Sequence, residues 1–235
     1  MQAISQPVKK RSVVLVPSRG RPERFQKCVL SLIEKNTTSD IVAVLDEDDH
    51  KDYFRFSNVK YLIGPKPHEL GLNNKLNWAA NSVRSDYDFI LWIADDVIVK
   101  TENWDKLLIE AIVDVPNGIS YPNDLLQGEN LPSNGTCFDA SIVRTLGFLA
   151  PPTLKHLYID NFWKYLGEAL GTLRYCSNVI VDHQHYVNGK AQIDTIYAAV
   201  NANWMYEHDS SEFEKYLKVS AEGDIAKLRK VHDRN

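Results

Sequence analysis

The sequence predicts an α/β protein in which helices flank a mixed, mostly parallel sheet. Four short apolar runs occur within the first hundred residues, and helical patterns or polar loops separate them. The run at residues 89–94 is continuously apolar, as is typical of a strand that is buried on both faces of a sheet. Because strands joined through intervening helices run parallel, this order predicts parallel neighbours in the sheet.

The elements of the first half follow from local patterns. Residues 12–17 form the first predicted strand. Pro22 begins a helix, because a proline at the first helical position loses no hydrogen bond. The remaining elements, predicted from apolar runs and amphipathic spacing, are strands at 41–45, 59–63 and 89–94 and helices at 72–83 and 104–113.

The second half is less regular. Residues 116–136 are rich in Pro, Gly and Asn and predict a long loop. Further predicted elements are helices at 139–146 and 160–170 and a β-hairpin formed by residues 172–176 and 178–182. Beyond Gly189 the pattern is helical and charged, so we predict a domain at residues 1–190 and a C-terminal helical extension at 191–235.

Composition excludes several classes of protein. The 235 residues carry a net charge of −4, which gives no overall electrostatic case for nucleic-acid binding. Basic residues cluster at 9–11, at 19–24 and at 227–234, and we expect the first and last clusters to be solvated ends. Three cysteines without metal-ligand spacing indicate a reducing compartment and no disulfide framework. No apolar run is long enough to span a bilayer and no signal-peptide core is evident, so we expect a cytoplasmic protein.

An acidic pair, Asp95-Asp96, directly follows the apolar strand at 89–94. Ligands of open α/β sheets bind at the carboxyl edge, where such a strand delivers its last residues. Two adjacent carboxylates are costly to desolvate, and a divalent cation is their natural partner. For an isolated pair of aspartates, a solvated turn is the favoured interpretation. Whether this pair instead binds a cation depends on the other residues that the strands deliver to this edge.

The first two strands deliver charged residues to the same edge. Ser18, Arg19 and Arg21 follow the first strand and precede a helix, an arrangement that favours anion binding. Asp46 and Asp48 follow the second strand and offer acceptors for a ribose or a base. Neither turn matches the phosphate-binding loop or the dinucleotide fingerprint, which disfavours common ATPases and dehydrogenases.

This layout resembles the glycosyltransferases of the GT-A fold, a large family with many bacterial and phage enzymes, over roughly residues 12–190. The resemblance implies a Rossmann-like sheet and transfer of a hexosyl or pentosyl group from a nucleoside-diphosphate sugar. In that family the turn after strand one, the acid after strand two and a later glycine-asparagine segment bind the donor. By position, the implied donor-binding residues are Pro17, Ser18, Arg19, Arg21, Asp46, Asp48, Asn74, Lys75, Ala94 and Asp95.

The metal motif departs from the family pattern. The usual Asp-Ala-Asp-Asp is Ile93-Ala-Asp-Asp96 here, and relatives with Gly-Asp-Asp in this place, often phage-encoded, are more similar. The resemblance implies Mn²⁺ or Mg²⁺ at Asp95 and Asp96, completed by a late histidine. His183 and His185 share one face of a regular strand and are the candidates, although a His-x-His at a strand end is otherwise more often a surface pair.

Asp160 begins a predicted helix at the position where inverting members of the family carry the catalytic base. Local sequence alone favours a helix N-cap for this aspartate. The resemblance favours the base, and with it a single displacement in which Asp160 deprotonates the acceptor hydroxyl.

The acceptor is open at this stage. Trp163 is a candidate platform for it, although its helical spacing also permits burial. Asn123 and Asp124 belong to a polar loop that is either a wall of the sugar pocket or an ordinary surface excursion. A hydroxymethylated base of phage DNA is one candidate acceptor, and polysaccharide, lipid-linked and protein acceptors are the others.

Two other functions stay open. A nucleotidyltransferase can share the fold, but it usually needs a glycine-rich loop with a lysine, and residues 18–22 contain one glycine and no lysine. A non-catalytic sugar- or nucleotide-binding module is consistent with the missing first aspartate. The joint presence of the acidic pair, Asp160 and the histidines argues against that module.

Overall fold

The computed structural model describes residues 10–64 and 71–232. Within these ranges the strands are β1 (Ser12–Pro17), β2 (Asp40–Asp46), β3 (Val59–Gly64), β4 (Phe89–Trp92), β5 (Val97–Val99), β6 (Ile119–Asn123), β7 (Cys137–Asp139) and β8 (Leu173–His183). The α-helices are α1 (Pro22–Glu34), α2 (Leu72–Val83), α3 (Trp104–Glu110), α4 (Ser141–Leu146), α5 (Ile159–Leu170), α6 (Thr195–Val200), α7 (Asn203–Val219) and α8 (Ala221–His232). Lys9, Asp233 and Arg234, which belong to the predicted basic ends, lie outside the described residues.

The strands form one sheet in the order β3-β2-β1-β4-β7-β6-β8-β5. Strands β3, β2, β1 and β4 are parallel neighbours, and β6 is parallel to β8. Strand β7 is antiparallel to both of its neighbours, and β5 is antiparallel to β8. The predicted mixed, mostly parallel sheet is confirmed, and the four predicted strands of the first half match β1 to β4 closely.

The sheet separates two apolar cores, which explains the continuous apolar runs. In β1, Val13 and Leu15 face the core shared with α2, α4, α5 and α8, whereas Val14 and Val16 face the core shared with α1 and α3. Successive side chains of a strand point to opposite faces, so a strand covered on both sides needs apolar residues at every position.

Two predictions for the second half are wrong. The predicted loop at 116–136 contains β6, which pairs with β7 and β8. The predicted hairpin at 172–182 is the single strand β8. Its register against β6 shifts between Cys176, opposite Pro122, and Ile180, opposite Asn123. The polar residues that suggested a turn therefore belong to a bulge, which inserts extra residues without reversing the chain.

The helices that follow residue 191 pack against the rest of the protein. Tyr216 of α7 and Leu228 of α8 are buried in the same core as α4 and α5. The Asn117 side chain donates a hydrogen bond to the Leu228 carbonyl at 3.1 Å. None of the helices in the described ranges combines the length and apolar character needed to cross a bilayer.

Candidate active site at the carboxyl edge of the sheet

A cavity of about 430 Å³ opens at the carboxyl ends of β1 and β4. The predicted site residues that line it are Pro17, Ser18, Arg19, Arg21, Lys75, Ala94, Asp95, Asp96, Asp160, Trp163, His183 and His185. Of the residues that the structure describes, the predicted candidates outside its lining are Asp46, Asp48, Asn74, Asn123 and Asp124. Most of the predicted site residues therefore line one cavity, and the other five lie outside its lining.

Asp46, at the end of β2, binds two positively charged side chains on one side of the cavity. Its buried carboxylate accepts hydrogen bonds from the Arg19 guanidinium and the Lys75 ammonium, each at 2.8 Å. Arg19 also donates to Asp48 at 2.8 Å, and Lys75 donates to the Ser18 carbonyl at 3.0 Å. Burial lowers the pKa of Lys75, against the opposing effect of Asp46. This side therefore holds two ordered cations, both paired with carboxylates.

The predicted glycine-asparagine segment has a structural role in this geometry. Asn74 is exposed, whereas its neighbour Asn73 is fully buried and donates to the carbonyls of Pro151 and Leu154 at 2.7 and 2.9 Å. A Cβ at Gly71 would lie 2.4 Å from the Lys155 carbonyl oxygen. The segment thus fixes α2 against the loop that leads to α5, and only glycine allows this close approach.

Asp95 and Asp96 are both buried but have different partners. The Ser18 hydroxyl donates to Asp95 Oδ2 at 2.5 Å. Arg21 Nη1 lies 3.6 Å from Asp95 Oδ1 and 3.6 Å from Asp96 Oδ2. Burial, reinforced by the neighbouring Asp96 charge, raises the pKa of Asp95. Burial also disfavours the Asp96 anion, but the facing His183 and the Tyr197 hydroxyl outweigh it and lower the pKa of Asp96.

His183 faces Asp96 because β5 and β8 are antiparallel. Val97, which follows Asp96, is in register with His183, and the Gln184 amide donates to the Asp96 carbonyl at 2.8 Å. His183 Nε2 lies 3.4 Å from Asp96 Oδ1, a buried oxygen that has no hydrogen-bond partner. Burial opposes protonation of His183, but the carboxylates that face it raise its pKa to about 9. An imidazole nitrogen and a carboxylate oxygen therefore face each other at the cavity wall.

His185 is placed differently from His183. Its Nδ1 accepts a hydrogen bond from the Val187 amide at 3.3 Å. Its ring packs against Tyr186 and Tyr197, with centroids 4.4 and 4.8 Å away. Strand β8 ends at His183, so the two histidines do not share a strand face.

The side chains present fit a cation that a bound ligand helps to hold. In residues 10–64 and 71–232, no three His, Cys, Asp or Glu side chains are arranged to bind a metal ion together. The unpartnered Asp96 Oδ1 and the facing His183 Nε2 supply two donors. A divalent cation at a phosphate site takes one or two protein ligands and fills its other positions with phosphate oxygens and water.

A C-terminal segment covers the acidic pair, and the sequence did not predict this contact. The Tyr197 hydroxyl donates to Asp96 Oδ2 at 2.5 Å. Arg21 donates to both Asp194 oxygens, at 3.0 and 2.8 Å, and its guanidinium stacks 4.1 Å from the Tyr197 ring centroid. Asp194 caps α6 by accepting from the Tyr197 amide. Asp before a helical pattern is a recognisable cap signal, but no local signal connects this helix with Asp96.

Asp160 lies in the first turn of α5 and lines the cavity. The N-cap position of this helix is occupied by Tyr158. Asp160 Oδ1 accepts a hydrogen bond from the Asn161 amide at 2.9 Å. Burial raises the pKa of Asp160, which strengthens its carboxylate as a base.

His156 also lines the cavity, and sequence reasoning missed it. Burial lowers its pKa to about 4, so the ring is neutral at pH 7. Its Nδ1 is buried and has no hydrogen-bond partner. The fully buried Asp209 carboxylate of α7 accepts from the backbone amides of Lys155, His156 and Leu157 at 2.9, 2.8 and 2.7 Å. Helix α7 therefore fixes the loop that carries His156 to the cavity.

Three predicted acceptor residues lie deeper than expected. Trp163 is only 1% exposed, donates to the Leu149 carbonyl at 2.9 Å and packs against Trp92. Asn123 accepts from the Leu125 amide, and Asp124 is only 2% exposed and lies beside His183. Trp163 thus forms part of the cavity wall, and Asn123 and Asp124 shape the loop behind it.

No protein-family model matches the chain, and no curated protein is similar to it in sequence. Its fold is similar to solved structures. Glucosyl-3-phosphoglycerate synthase from Mycobacterium tuberculosis, in complex with Mn²⁺, UDP and phosphoglyceric acid, has a TM-score of 0.56 and 10% identity over 77% of this chain and 75% of that chain. A mannosyltransferase from Pyrobaculum calidifontis, in complex with GDP-Man and Mn²⁺, has a TM-score of 0.57 and 10% identity. This match covers 97% of this chain and 81% of that chain.

A third similar structure belongs to another class of enzyme. A putative glucose-1-phosphate thymidylyltransferase from Bacillus anthracis has a TM-score of 0.51 and 13% identity over 80% of this chain and 98% of that chain. Together these likenesses show that the chain has the GT-A fold of nucleotide-diphospho-sugar transferases.

Proposed function

We propose that this chain is a metal-dependent glycosyltransferase that moves a sugar from a nucleoside-diphosphate sugar to an acceptor hydroxyl, with inversion. One observation carries the proposal: an ordered cation pair, a facing carboxylate and imidazole, and the half-buried Asp160 carboxylate line or adjoin one cavity at the carboxyl edge of the sheet. The Mn²⁺ and the UDP or GDP-Man bound to two similar structures support the donor class and the cation.

The donor would bind across the ends of β1 and β2. Arg19 and Lys75 would contact the phosphates or the nucleotide, and Asp46 would keep both cations in place. Asp96 and His183 would hold Mn²⁺ or Mg²⁺, with Asp95 beside them. When bound, this cation supplies charge neutralisation for the diphosphate that leaves. Arg21 would add a further donor to the diphosphate once it separates from Asp194.

The acceptor would approach from the side of α5. Asp160 would take the proton of the acceptor hydroxyl while that oxygen attacks the anomeric carbon on the face opposite the diphosphate. The buried rings of Trp92 and Trp163 form part of the inner wall at this end of the cavity. Helices from residue 191 onwards, proposed as an extension of the domain, would cover the acidic pair through Tyr197.

Within this proposal the first acceptor to test is a hydroxymethylated base of phage DNA. The surface carries no excess positive charge, so such an acceptor would be bound through its base more than through its phosphates. Polysaccharide, lipid-linked and protein hydroxyls are the alternatives in the same assay.

A nucleotidyltransferase is the second candidate, because a similar structure carries that description. The two reactions release different products. A glycosyltransferase releases a nucleoside diphosphate from a sugar nucleotide, whereas a nucleotidyltransferase releases pyrophosphate from a nucleoside triphosphate and a sugar phosphate. The side chains favour the first, since the turn after β1 has one glycine and no lysine.

The test is a panel of sugar nucleotides incubated with Mn²⁺ or Mg²⁺ while nucleoside diphosphate release is measured. We expect slow hydrolysis of at least one donor without acceptor, and loss of that hydrolysis in Asp95→Ala and Asp96→Ala. Pyrophosphate release from a nucleoside triphosphate and a sugar phosphate would instead identify the second candidate. Donor binding without cleavage, unchanged in both variants, would indicate a non-catalytic module.

A further inference from the structure

The His183 ring lies between two carboxylates. Its Nε2 is 3.4 Å from Asp96 Oδ1, and its Nδ1 is 3.7 Å from Asp124 Oδ2. Both of these oxygens are buried and have no hydrogen-bond partner. A buried carboxylate oxygen without a partner is costly, and here the two such oxygens face the two nitrogens of one ring.

The Asp124 carboxylate is held in a fixed orientation. Its other oxygen, Oδ1, accepts hydrogen bonds from the amides of Leu126, Gln127 and Gly128 at 3.0, 2.7 and 2.9 Å. The His183 amide donates to the Asp124 carbonyl at 3.1 Å, which ties the end of β8 to the same loop. Rotation of the carboxylate away from His183 would break three backbone hydrogen bonds, so Oδ2 stays directed at the ring.

We propose that Asp124 is a positioning residue that holds His183 with Nε2 free for the divalent cation. The inference rests on the proposed function, because it takes the cation to bind between Asp96 and His183. A neutral imidazole that binds a cation through Nε2 carries its proton on Nδ1. Asp124 Oδ2 accepts a hydrogen bond from this Nδ1–H group. The bond fixes the orientation of the ring and makes Nε2 a stronger ligand for the cation.

Asn134 also faces Nδ1 of His183. Its Nδ2 lies 3.0 Å from His183 Nδ1, and its Oδ1 accepts from the Ala94 amide at 3.2 Å. With Oδ1 engaged, the Asn134 amide group competes with Asp124 for this nitrogen. Cation binding through Nε2 leaves a single ring proton on Nδ1, where Asp124 rather than the Asn134 amide nitrogen accepts its hydrogen bond.

The first experiment measures Mn²⁺ affinity from the electron paramagnetic resonance signal of free Mn²⁺, with Mn²⁺ alone and with UDP or GDP added. Asp105→Asn is the matched control for Asp124→Asn. Asp105 is also fully buried, also caps backbone amides (those of Thr38 and Ser39) with one oxygen, and also has an unpartnered second oxygen. We expect Asp124→Asn to weaken Mn²⁺ binding about 10- to 100-fold, and Asp105→Asn to leave it unchanged.

A double variant separates positioning from the charge of Asp124 itself. If Asp124 acts through His183, the Asp124→Asn change has no further effect on Mn²⁺ affinity in the His183→Ala background. Equal losses in both backgrounds would overturn the proposal, as would wild-type affinity in Asp124→Asn.

A measurement on the unmutated protein covers the case in which Asp124→Asn does not fold. ¹⁵N NMR shifts of the His183 ring report its tautomer with and without Zn²⁺, a diamagnetic probe. In the Zn²⁺-bound protein, a proton on Nδ1 and none on Nε2 supports the proposal, and a proton that stays on Nε2 overturns it.

The outcomes also separate this proposal from the proposed function. Donor cleavage that survives Asp124→Asn with unchanged Mn²⁺ affinity overturns only the role of Asp124. Mn²⁺ binding that depends on Asp124 in a protein that cleaves no donor supports that role while the glycosyltransferase proposal fails.

Discussion

The two sides of the cavity stabilise their polar groups in different ways. On the donor side, the Asp46 carboxylate is paired with Arg19 and Lys75, so opposite charges balance one another. On the proposed acceptor side, burial favours the neutral form of both ionisable groups: it raises the pKa of Asp160 and lowers the pKa of His156. Charge pairing orders the cations proposed to face an anion, whereas desolvation makes Asp160 a stronger proton acceptor and His156 a weaker one. We therefore expect donor-side substitutions to change affinity and acceptor-side substitutions to change rate.

The largest expected effect is that of Asp160→Asn. Removal of a general base costs about 10²- to 10⁴-fold in rate, and here the loss falls on kcat because the donor-binding residues are untouched. Glu168→Gln is the matched control, since Glu168 is an exposed acid of the same helix. Steady-state transfer kinetics check both variants. An Asp160→Asn protein with near wild-type kcat would remove the contrast between the two sides.

Asp46→Asn tests the charge pairing on the donor side. Breaking a buried pair leaves uncompensated charge, so we expect a loss of about 3 kcal/mol in the free energy of unfolding, together with a higher KM for the donor. Asp48→Asn is the control, because the Asp48 side chain is 29% exposed while that of Asp46 is 3% exposed. For the control we expect a loss of less than about 1 kcal/mol. Urea unfolding measures both variants. Equal losses of free energy of unfolding in Asp46→Asn and Asp48→Asn would contradict the account.

His156 predicts a pH dependence of stability on the acceptor side. Its pKa falls from an ordinary 6.5 to about 4 in the folded protein, so between these values the unfolded chain binds a proton that the folded chain does not. The neutral His156 ring therefore contributes fully to the free energy of unfolding above pH 6.5. That free energy falls by up to about 3 kcal/mol as the pH drops toward 4. In His156→Gln, denaturation measured between pH 4 and 7 is expected to depend less on pH. If the free energy of unfolding depends on pH equally in His156→Gln and in the unmutated protein, the His156 ring is not desolvated in the folded state.

The smallest expected effect is that of Tyr197→Phe. The change removes the hydrogen bond to Asp96 and frees that carboxylate for a cation, so we expect Mn²⁺ to bind up to about tenfold more tightly. Tyr186→Phe is the control, because Tyr186 lines the same cavity and packs on His185 without contacting the acidic pair in the described contacts. Calorimetric titration with MnCl₂ checks both variants. Weaker binding in Tyr197→Phe would mean that the phenol supports the cation site.

The positions of the residues on the proposed donor side could be predicted because their signals are local. Strands β1 and β2 are short apolar runs, and the residues that follow them reach the sheet edge by topology alone. The proposed cation site depends on contacts between distant parts of the sequence. Asp96 and Tyr197 are 101 positions apart, and no short pattern indicates that they touch. Strand β8 was mistaken for a hairpin because a bulge and a turn use the same polar residues.

The acidic pair shows where sequence reasoning stops. Two adjacent aspartates after a buried strand mark the site, but the sequence does not tell which of them faces the histidine. That choice depends on the antiparallel pairing of β5 with β8, which sets Val97 opposite His183. The position of Asp124 behind His183 depends on the same pairing and on a loop for which the sequence left both a pocket wall and a surface excursion open.

The most direct test of the account is the position of a bound cation. Crystals grown with Mn²⁺ and UDP or GDP would be measured at the manganese absorption edge, and an anomalous difference map would locate the metal. We predict one strong peak about 2.2 Å from both Asp96 Oδ1 and His183 Nε2, next to a diphosphate oxygen. A map with the nucleotide bound and no peak at these two atoms would contradict the account.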